Sequence, residues 1–217
     1  RDVLGSRGLG DVYKRQVTQY GFQGKETLRR CIRHYGTRLG QLRRELLTRA
    51  GQKTNLKHVF DCGWGIPCSD GAVREWTERS EQQIRVNVLS CPFAQIWLEA
   101  NPELGHAFCE EFYPAYVKAA TDPNTQVNVG KTLLNEGDEF CQFSCYLRPS
   151  NLEPQRRQAC FAEYDPSYQD RPWSDTPLEE AQRCALFLEC IQHVLREDGL
   201  SPVSYTHLRA HETLRHL

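Results

Sequence analysis

The segment from Cys91 to Cys145 limits the possible folds of this chain more than any other stretch. Residues 84–91 alternate between apolar and polar side chains, which is typical of a β-strand with one buried face, and Cys91 ends that strand. Cys109 lies in a predicted helix further along the chain, and Cys141 lies just past a predicted turn. Three thiols therefore fall on three successive elements, and we expect folding to bring them to one shared cavity.

Two helices are predicted between the first strand and the next. Pro92 opens the first helix, where its missing backbone N–H costs nothing, so Cys91 faces a helix N-terminus. The second helix carries apolar side chains at helical spacing, with His106 and Cys109 three residues apart on a neighbouring face. Pro114 is expected to bend the second helix or to end it early.

Two further β-like runs, 125–134 and 139–147, are joined by the turn sequence NEGD. We predict an α+β fold in which these two runs and 84–91 form a small antiparallel sheet that helices cover on one face. Gly137 suits the geometry of the turn, and Asp138 is placed to accept backbone N–H groups there.

A long amphipathic helix is predicted near the N-terminus, from about Lys25 to Ala50, because its apolar side chains recur every three or four residues. Gly36 and Gly40 lie beside this apolar stripe. Each costs about 1 kcal/mol of helix stability relative to alanine. We therefore expect them to allow close approach by another backbone or by a ligand.

The remaining segments carry weaker patterns. Residues 51–70 are predicted to form an irregular loop containing Trp64, and 71–83 to have helical character. Residues 149–170 are polar and turn-rich, so we expect little regular structure there. A last helix with one apolar face is predicted from about 178 to 199.

Composition excludes several classes of partner. The chain has 217 residues, a hydrophobic content of 39% and a net charge of -1, which suit a single soluble domain and argue against nucleic acid. No apolar run approaches the roughly 20 residues that span a bilayer, so no membrane partner is expected. The chain is large enough not to need disulfides, so its ten cysteines predict reduced thiols in the cytoplasm.

Both ends of the chain resemble translated adapter sequence of the kind found in assembled metagenomic reads. The segments in question are RGLGDVYKRQ at 7–16 and SPVSYTHLRAHET at 201–213, and methionine is absent throughout. We therefore predict that 1–16 and 201–217 are non-native tails and that 17–200 forms a single domain.

Five fragments in order resemble the L-2-amino-thiazoline-4-carboxylic acid hydrolase family. They are CPFA at 91–94, FC at 108–109, DPN at 122–124, KTLL at 131–134 and GDEFCQF at 137–143. The segment YGFQGKETLRRCIRHYGTRLG resembles the opening helix of the same family. More distantly, the GDxxCxF hairpin is similar to small-molecule-binding domains of the 4-vinyl reductase type.

The resemblance implies hydrolysis of a small cyclic amidine. Water attacks C2 of a 2-amino-thiazoline ring, a thiolate leaves, and N-carbamoyl-L-cysteine forms. Such a reaction needs an activated nucleophile, a proton donor or Lewis acid at the departing sulfur, and a cation for the carboxylate. The candidate catalytic residues are Cys91, Cys109, Cys141, Asp138 and Glu110.

Within this set, Cys91 is the candidate nucleophile, because a helix N-terminus stabilises a thiolate and lowers its pKa. Glu110, Glu111 or Asp138 would act as acid or base, while Cys109 and Cys141 would line the pocket.

Four further residues are candidates for substrate binding. Arg33 and Arg44 could pair with the carboxylate, although a solvated basic helix face is the alternative. His106 lies near Cys109, and Trp64 could close the pocket or fill the core.

Two alternatives remain open for the cysteines. Cys91, Cys109 and Cys141 could bind zinc, with His106 or water as the fourth ligand, although no pair has CxxC spacing. They could also be packing residues. A non-catalytic sensor or carrier would use the same pocket, and a pocket without Asp138, a glutamate or His106 facing it would favour that function.

Overall fold

Helices and one sheet make up the part of the chain that the computed structural model describes, residues 3–61, 71–173, 178 and 180–199. The helices are α1 (Val3–Arg49), α2 (Leu56–Asp61), α3 (Pro92–Ala100), α4 (Pro102–Ala120), α5 (Pro154–Cys160) and α6 (Glu180–Glu197). The strands are β1 (Val73–Arg79), β2 (Gln83–Ser90), β3 (Gln126–Val129) and β4 (Cys141–Tyr146). The predicted α+β class is confirmed. Within these ranges, no helix combines the length and the apolar character needed to cross a bilayer.

The sheet is antiparallel and has the strand order β1-β2-β4-β3. It contains the three predicted strands, of which β3 and β4 are shorter than expected, and one further strand at its edge. Along β2 the side chains of Ile84, Val86 and Val88 are buried, while Arg85 between them is exposed. This alternation places one face of the sheet against the helices.

Strand β1 contradicts the helix that was predicted over 71–83. Apolar side chains in this segment are spaced as on a helix, but Trp76 pairs with Val86 of β2 in an antiparallel ladder. The hairpin closes where Gln83 donates its backbone N–H to the hydroxyl of Ser80 over 3.1 Å. Pairing with the neighbouring strand therefore decides the conformation, not the local spacing.

Helix α1 packs along α4 at the two glycines, as predicted. A Cβ atom at Gly36 would lie 2.6 Å from the carbonyl oxygen of Phe112, and one at Gly40 would lie 2.7 Å from the Cβ of Ala119. The backbones therefore meet where no side chain fits. Helix α4 does not end early at Pro114, because it continues to Ala120.

The buried stripe of α1 follows the predicted spacing from Leu28 to Leu39. Leu28, Ile32 and Leu39 are buried, but Leu46 is exposed and Leu47 is fully buried instead. Helix α1 also contains a kink at Gly21, where φ is 56°.

Residues 149–170 hold more regular structure than predicted. Helix α5 lies there, with Pro154 as its first residue and the buried Cys160 as its last. The buried ammonium group of Lys53 contacts the carboxylate of Asp165 at 2.5 Å and the carbonyl oxygen of Gln158 at 2.7 Å. These bonds attach the segment to the connection between α1 and α2.

Candidate active site

A cavity opens between the sheet and helices α3 and α4. Its empty space is about 600 Å³, counting the part that is open to solvent. The lining residues are Ala72, Arg74, Val88, Cys91, Phe93, Ala94, Trp97, Phe108, Cys109, Tyr113, Thr132, Leu134, Cys141 and Phe143. Cys91, Cys109 and Cys141 therefore lie on the wall of one cavity, although 50 residues separate the first from the last in sequence.

Cys91 occupies the junction between β2 and α3. It is the N-cap residue of α3, with an extended backbone at φ −136° and ψ 115°, and Pro92 follows as the first helical residue. The uncompensated N–H groups of a helix N-terminus favour negative charge. Cys91 therefore lies where a helix N-terminus can stabilise a thiolate.

Cys109 lies on α4 and keeps part of its surface accessible. Burial raises the pKa of the Cys109 thiol, and the neighbouring Cys141 and Cys91 raise it further. Cys109 is therefore a neutral thiol at pH 7.

Cys141 opens β4 and is buried beneath the turn that precedes the strand. Its sulfur accepts a hydrogen bond from the backbone N–H of Leu133 at 3.2 Å and lies 3.9 Å from the hydroxyl of Thr132. Burial raises the pKa of Cys141, and these two groups only partly oppose that effect. Cys141 is thus a protonated thiol with a proton to donate.

Asp138 organises the turn and does not line the cavity. Its carboxylate accepts hydrogen bonds from the backbone N–H of Thr132 and the side-chain amide of Asn135, both at 3.0 Å. These bonds, the amide of Asn135 first, hold the pKa of Asp138 below its usual value. Gly137 has φ 89°, the left-handed conformation expected of it. Asp138 therefore positions Thr132, which does line the cavity.

The other predicted polar residues lie elsewhere. Glu110 forms an ion pair with Arg29 at the surface of the α1–α4 contact. His106 is half-buried on α4 and does not line the cavity. Trp64 and the predicted tail at 201–217 lie outside the described residues.

Both arginines predicted to bind the carboxylate also lie away from the cavity. The Nε atom of Arg33 donates to the carboxylate of Glu111 over 2.7 Å, and Arg29 bonds the same carboxylate over 3.0 Å. Arg44 donates to the carbonyl oxygen of Lys118 over 3.3 Å. These bonds join α1 to α4.

The paired Glu111 leads to a prediction on acid stability. Burial alone would raise the pKa of Glu111, but Arg33 and Arg29 outweigh burial and hold it below the usual value near 4.5. Because the pKa of Glu111 is lower in the folded protein than in the unfolded protein, its ionised form stabilises the fold at pH values above the unfolded pKa. This stabilisation is lost as the pH falls through the folded pKa. When the pH falls below about 4.5, the free energy of unfolding of the wild type should drop by about 1 kcal/mol more than that of Glu111→Gln. Urea titration at a series of pH values measures this difference.

The control for this prediction is Glu26→Gln, because Glu26 contacts the same Arg33 at 3.8 Å but is exposed. It should leave the acid dependence close to that of the wild type. Equal curves for Glu111→Gln and the wild type would show that the ion pair does not act in this way.

Arg74 is a lining residue that was absent from the predicted site. It lies on β1 opposite Val88, which lies opposite Cys141 on β4, so these three side chains form one row across the sheet. Among the lining residues that the structure describes, only Arg74 carries a full charge. Side chains from 72 to 77 alternate between partly buried and exposed, which directs Arg74 inward, but the residue types in this segment, AVREWT, do not show that alternation.

Trp97 is the second lining residue that was not predicted. Its side chain is 2% exposed, and its Nε1 has no hydrogen-bond partner among the described residues. Gly105 makes room for it, since a Cβ there would lie 2.7 Å from the Cβ of Trp97. A buried donor without a partner costs about 1–3 kcal/mol, so the indole of Trp97 is held in this position at some cost to stability.

The zinc alternative has no ligand set in the described part of the chain. No group of three or more histidine, cysteine, aspartate or glutamate side chains there is arranged to hold a metal ion. Cys91, Cys109 and Cys141 share the cavity without forming such a group, and His106 does not line it.

The fold and the cavity define a small α+β protein with a thiol-lined pocket between a sheet and two helices. The chain belongs to the L-2-amino-thiazoline-4-carboxylic acid hydrolase family, whose model matches residues 6–145. The resemblance drawn from the sequence fragments is therefore confirmed. No curated protein and no solved structure matches the chain.

Proposed function

We propose that this protein hydrolyses a small cyclic amidine, such as L-2-amino-thiazoline-4-carboxylate, to N-carbamoyl-L-cysteine. The observation that carries the proposal is the presence of Cys91, Cys109 and Cys141 on one cavity wall in a member of this family. The chemistry requires reduced thiols, so we place the protein in the cytoplasm.

In the first half of the proposed reaction, the thiolate of Cys91 attacks C2 of the ring. A bond forms between the Cys91 sulfur and C2, and the bond between C2 and the ring sulfur breaks. The ring sulfur leaves with the electron pair and takes the proton of the Cys141 thiol. Cys141 suits this role because burial keeps it protonated.

In the second half, water attacks C2 and gives one proton to the Cys141 thiolate. The second proton of the water passes to the amidine nitrogen as the carbonyl group forms. The bond between C2 and the Cys91 sulfur breaks, and its electron pair returns to Cys91. N-carbamoyl-L-cysteine is released, and both cysteines regain their starting states.

A non-catalytic carrier is the second candidate, and one observation favours it. Asp138, Glu110 and His106 are all absent from the described lining, which therefore offers no carboxylate or imidazole for proton transfer. A carrier needs neither group, whereas the hydrolase must rely on its thiols.

Turnover separates the two candidates. The 217-residue protein is incubated with L-2-amino-thiazoline-4-carboxylate under reducing conditions, and N-carbamoyl-L-cysteine is measured by liquid chromatography with mass spectrometry. We expect product that grows with protein concentration. A rise in melting temperature with the ligand but without product would favour the carrier, and neither response would overturn both.

A further inference from the structure

We propose that Arg74 binds the carboxylate of the substrate and makes the cavity selective for ring compounds that carry a carboxylate. The inference rests on the proposed use of this cavity for a small cyclic amidine. It assigns carboxylate binding to a residue of β1 in place of Arg33 and Arg44 of α1.

The charge of the lining supports this assignment. Arg74 contributes a positive charge, and no aspartate or glutamate is present among the lining residues that the structure describes. The Arg74 side chain is half-buried, and its Nε atom is buried. A charge beside apolar walls interacts more strongly with an anion than the same charge in water.

The position of Arg74 also fits the proposed chemistry. One strand separates Arg74 from Cys141, because both pair with Val88 on β2. At a spacing of about 4.8 Å between strands, the Cα atoms of Arg74 and Cys141 are about 10 Å apart. Val73, the neighbour of Arg74 on β1, pairs with Ser90, the residue before Cys91. Arg74 therefore lies one strand away from Cys141 and near the end of β2 that leads into Cys91.

The spacing within the ligand agrees with this arrangement. In the thiazoline ring, only the ring nitrogen and C4 separate C2 from the carboxylate. A cation that holds the carboxylate must therefore lie close to the attacking sulfur, and the β1–β2 pairing places Arg74 near the end of β2 that precedes Cys91. Arg33 and Arg44 are bonded to α4 groups outside the lining.

Aromatic side chains on the helical wall favour a planar ring. Phe93 and Trp97 of α3 and Phe108 of α4 line the cavity, and the Trp97 and Phe108 rings have centroids 6.2 Å apart. Together with Arg74, this wall suits a small anionic heterocycle.

The test compares two ligands that differ by the carboxylate alone. Arg74→Gln and the charge-retaining Arg74→Lys are assayed with L-2-amino-thiazoline-4-carboxylate and with 2-amino-2-thiazoline. For the carboxylate, Arg74→Gln should raise KM by about 10- to 100-fold with little change in kcat, and Arg74→Lys should raise it less. For 2-amino-2-thiazoline, all three proteins should behave alike.

Arg79→Gln is the matched control, because Arg79 is on the same strand and donates to Asp61 outside the cavity. Equal losses in Arg74→Gln and Arg79→Gln, or equal losses for both ligands, would overturn the inference. Ligand-induced shifts in melting temperature are measured in parallel. If the wild type binds the carboxylate in an Arg74-dependent way without turnover, the hydrolase proposal fails while this inference stands. If the wild type binds no carboxylate, the inference fails.

Discussion

Replacing Cys91 by serine is expected to lower kcat for L-2-amino-thiazoline-4-carboxylate by about a thousandfold or more. A serine hydroxyl at this position is a far weaker nucleophile than a thiolate, and no carboxylate or imidazole lines the described cavity to activate it. Ligand binding should persist, because the substitution removes one sulfur atom and leaves the cavity walls in place. Product formation is measured by mass spectrometry over a long incubation.

Two further substitutions show whether the loss is specific to the cavity. Cys184→Ser changes an exposed cysteine on α6 and should leave kcat unchanged. Cys141→Ser should lower kcat by about a hundredfold, because the proton for the departing ring sulfur comes from that thiol. Full activity of Cys91→Ser would remove Cys91 from the reaction and leave Cys109 or Cys141 as the nucleophile.

Intact-protein mass spectrometry provides an independent view of the same step. Ring opening by Cys91 keeps both parts of the substrate attached, so the trapped adduct carries the full mass of the substrate. The adduct should form on the wild type and on Cys184→Ser, and it should be absent from Cys91→Ser. An adduct mapped to Cys109 would contradict the assignment of roles.

Two of the three thiols, Cys91 and Cys141, could be placed from sequence because each stands near a strong local signal. A proline follows Cys91 at the start of α3, and a glycine with φ 89° precedes Cys141 by four residues. These signals fix where elements begin and end. Whether the thiols share one cavity depends in addition on a long-range contact, the pairing of Val88 with Cys141.

Arg74 could not be predicted in the same way. Its strand lies at the edge of the sheet, where charged residues are common and apolar alternation is weak. The segment 71–83 therefore carried a helix-like spacing that pairing with β2 overrode. Arg74 was therefore missed as the positive charge of the site, because its segment was predicted to be a helix and not a strand.

The carboxylates illustrate the opposite error. Glu110 follows Cys109 directly, so sequence proximity suggested a shared site. On a helix, adjacent residues point about 100° apart, and Glu110 meets Arg29 while Cys109 lines the cavity. Asp138 was correctly placed in a turn, and its hydrogen bonds to Thr132 and Asn135 account for its presence.

Gly40→Ala is expected to lower the free energy of unfolding by about 2 kcal/mol, although alanine favours helices over glycine by about 1 kcal/mol. The added methyl group would meet the carbonyl oxygen of Tyr116 and the Cβ of Ala119, which belong to the backbone region of α4 and cannot rotate away. The two helices must therefore separate. Urea titration followed by circular dichroism measures the effect, and Thr37→Ala on the same helix should change stability by less than about 0.5 kcal/mol.

The same substitution connects the helix contact to the cavity. Helix α4 contributes Phe108, Cys109 and Tyr113 to the lining, so a shift of α4 at Gly40 also displaces this wall. We therefore expect Gly40→Ala to bind substrate more weakly even at temperatures where it is fully folded. A Gly40→Ala protein more stable than the wild type would contradict this close approach of α1 and α4. The higher helix propensity of alanine would then account for the gain in unfolding free energy.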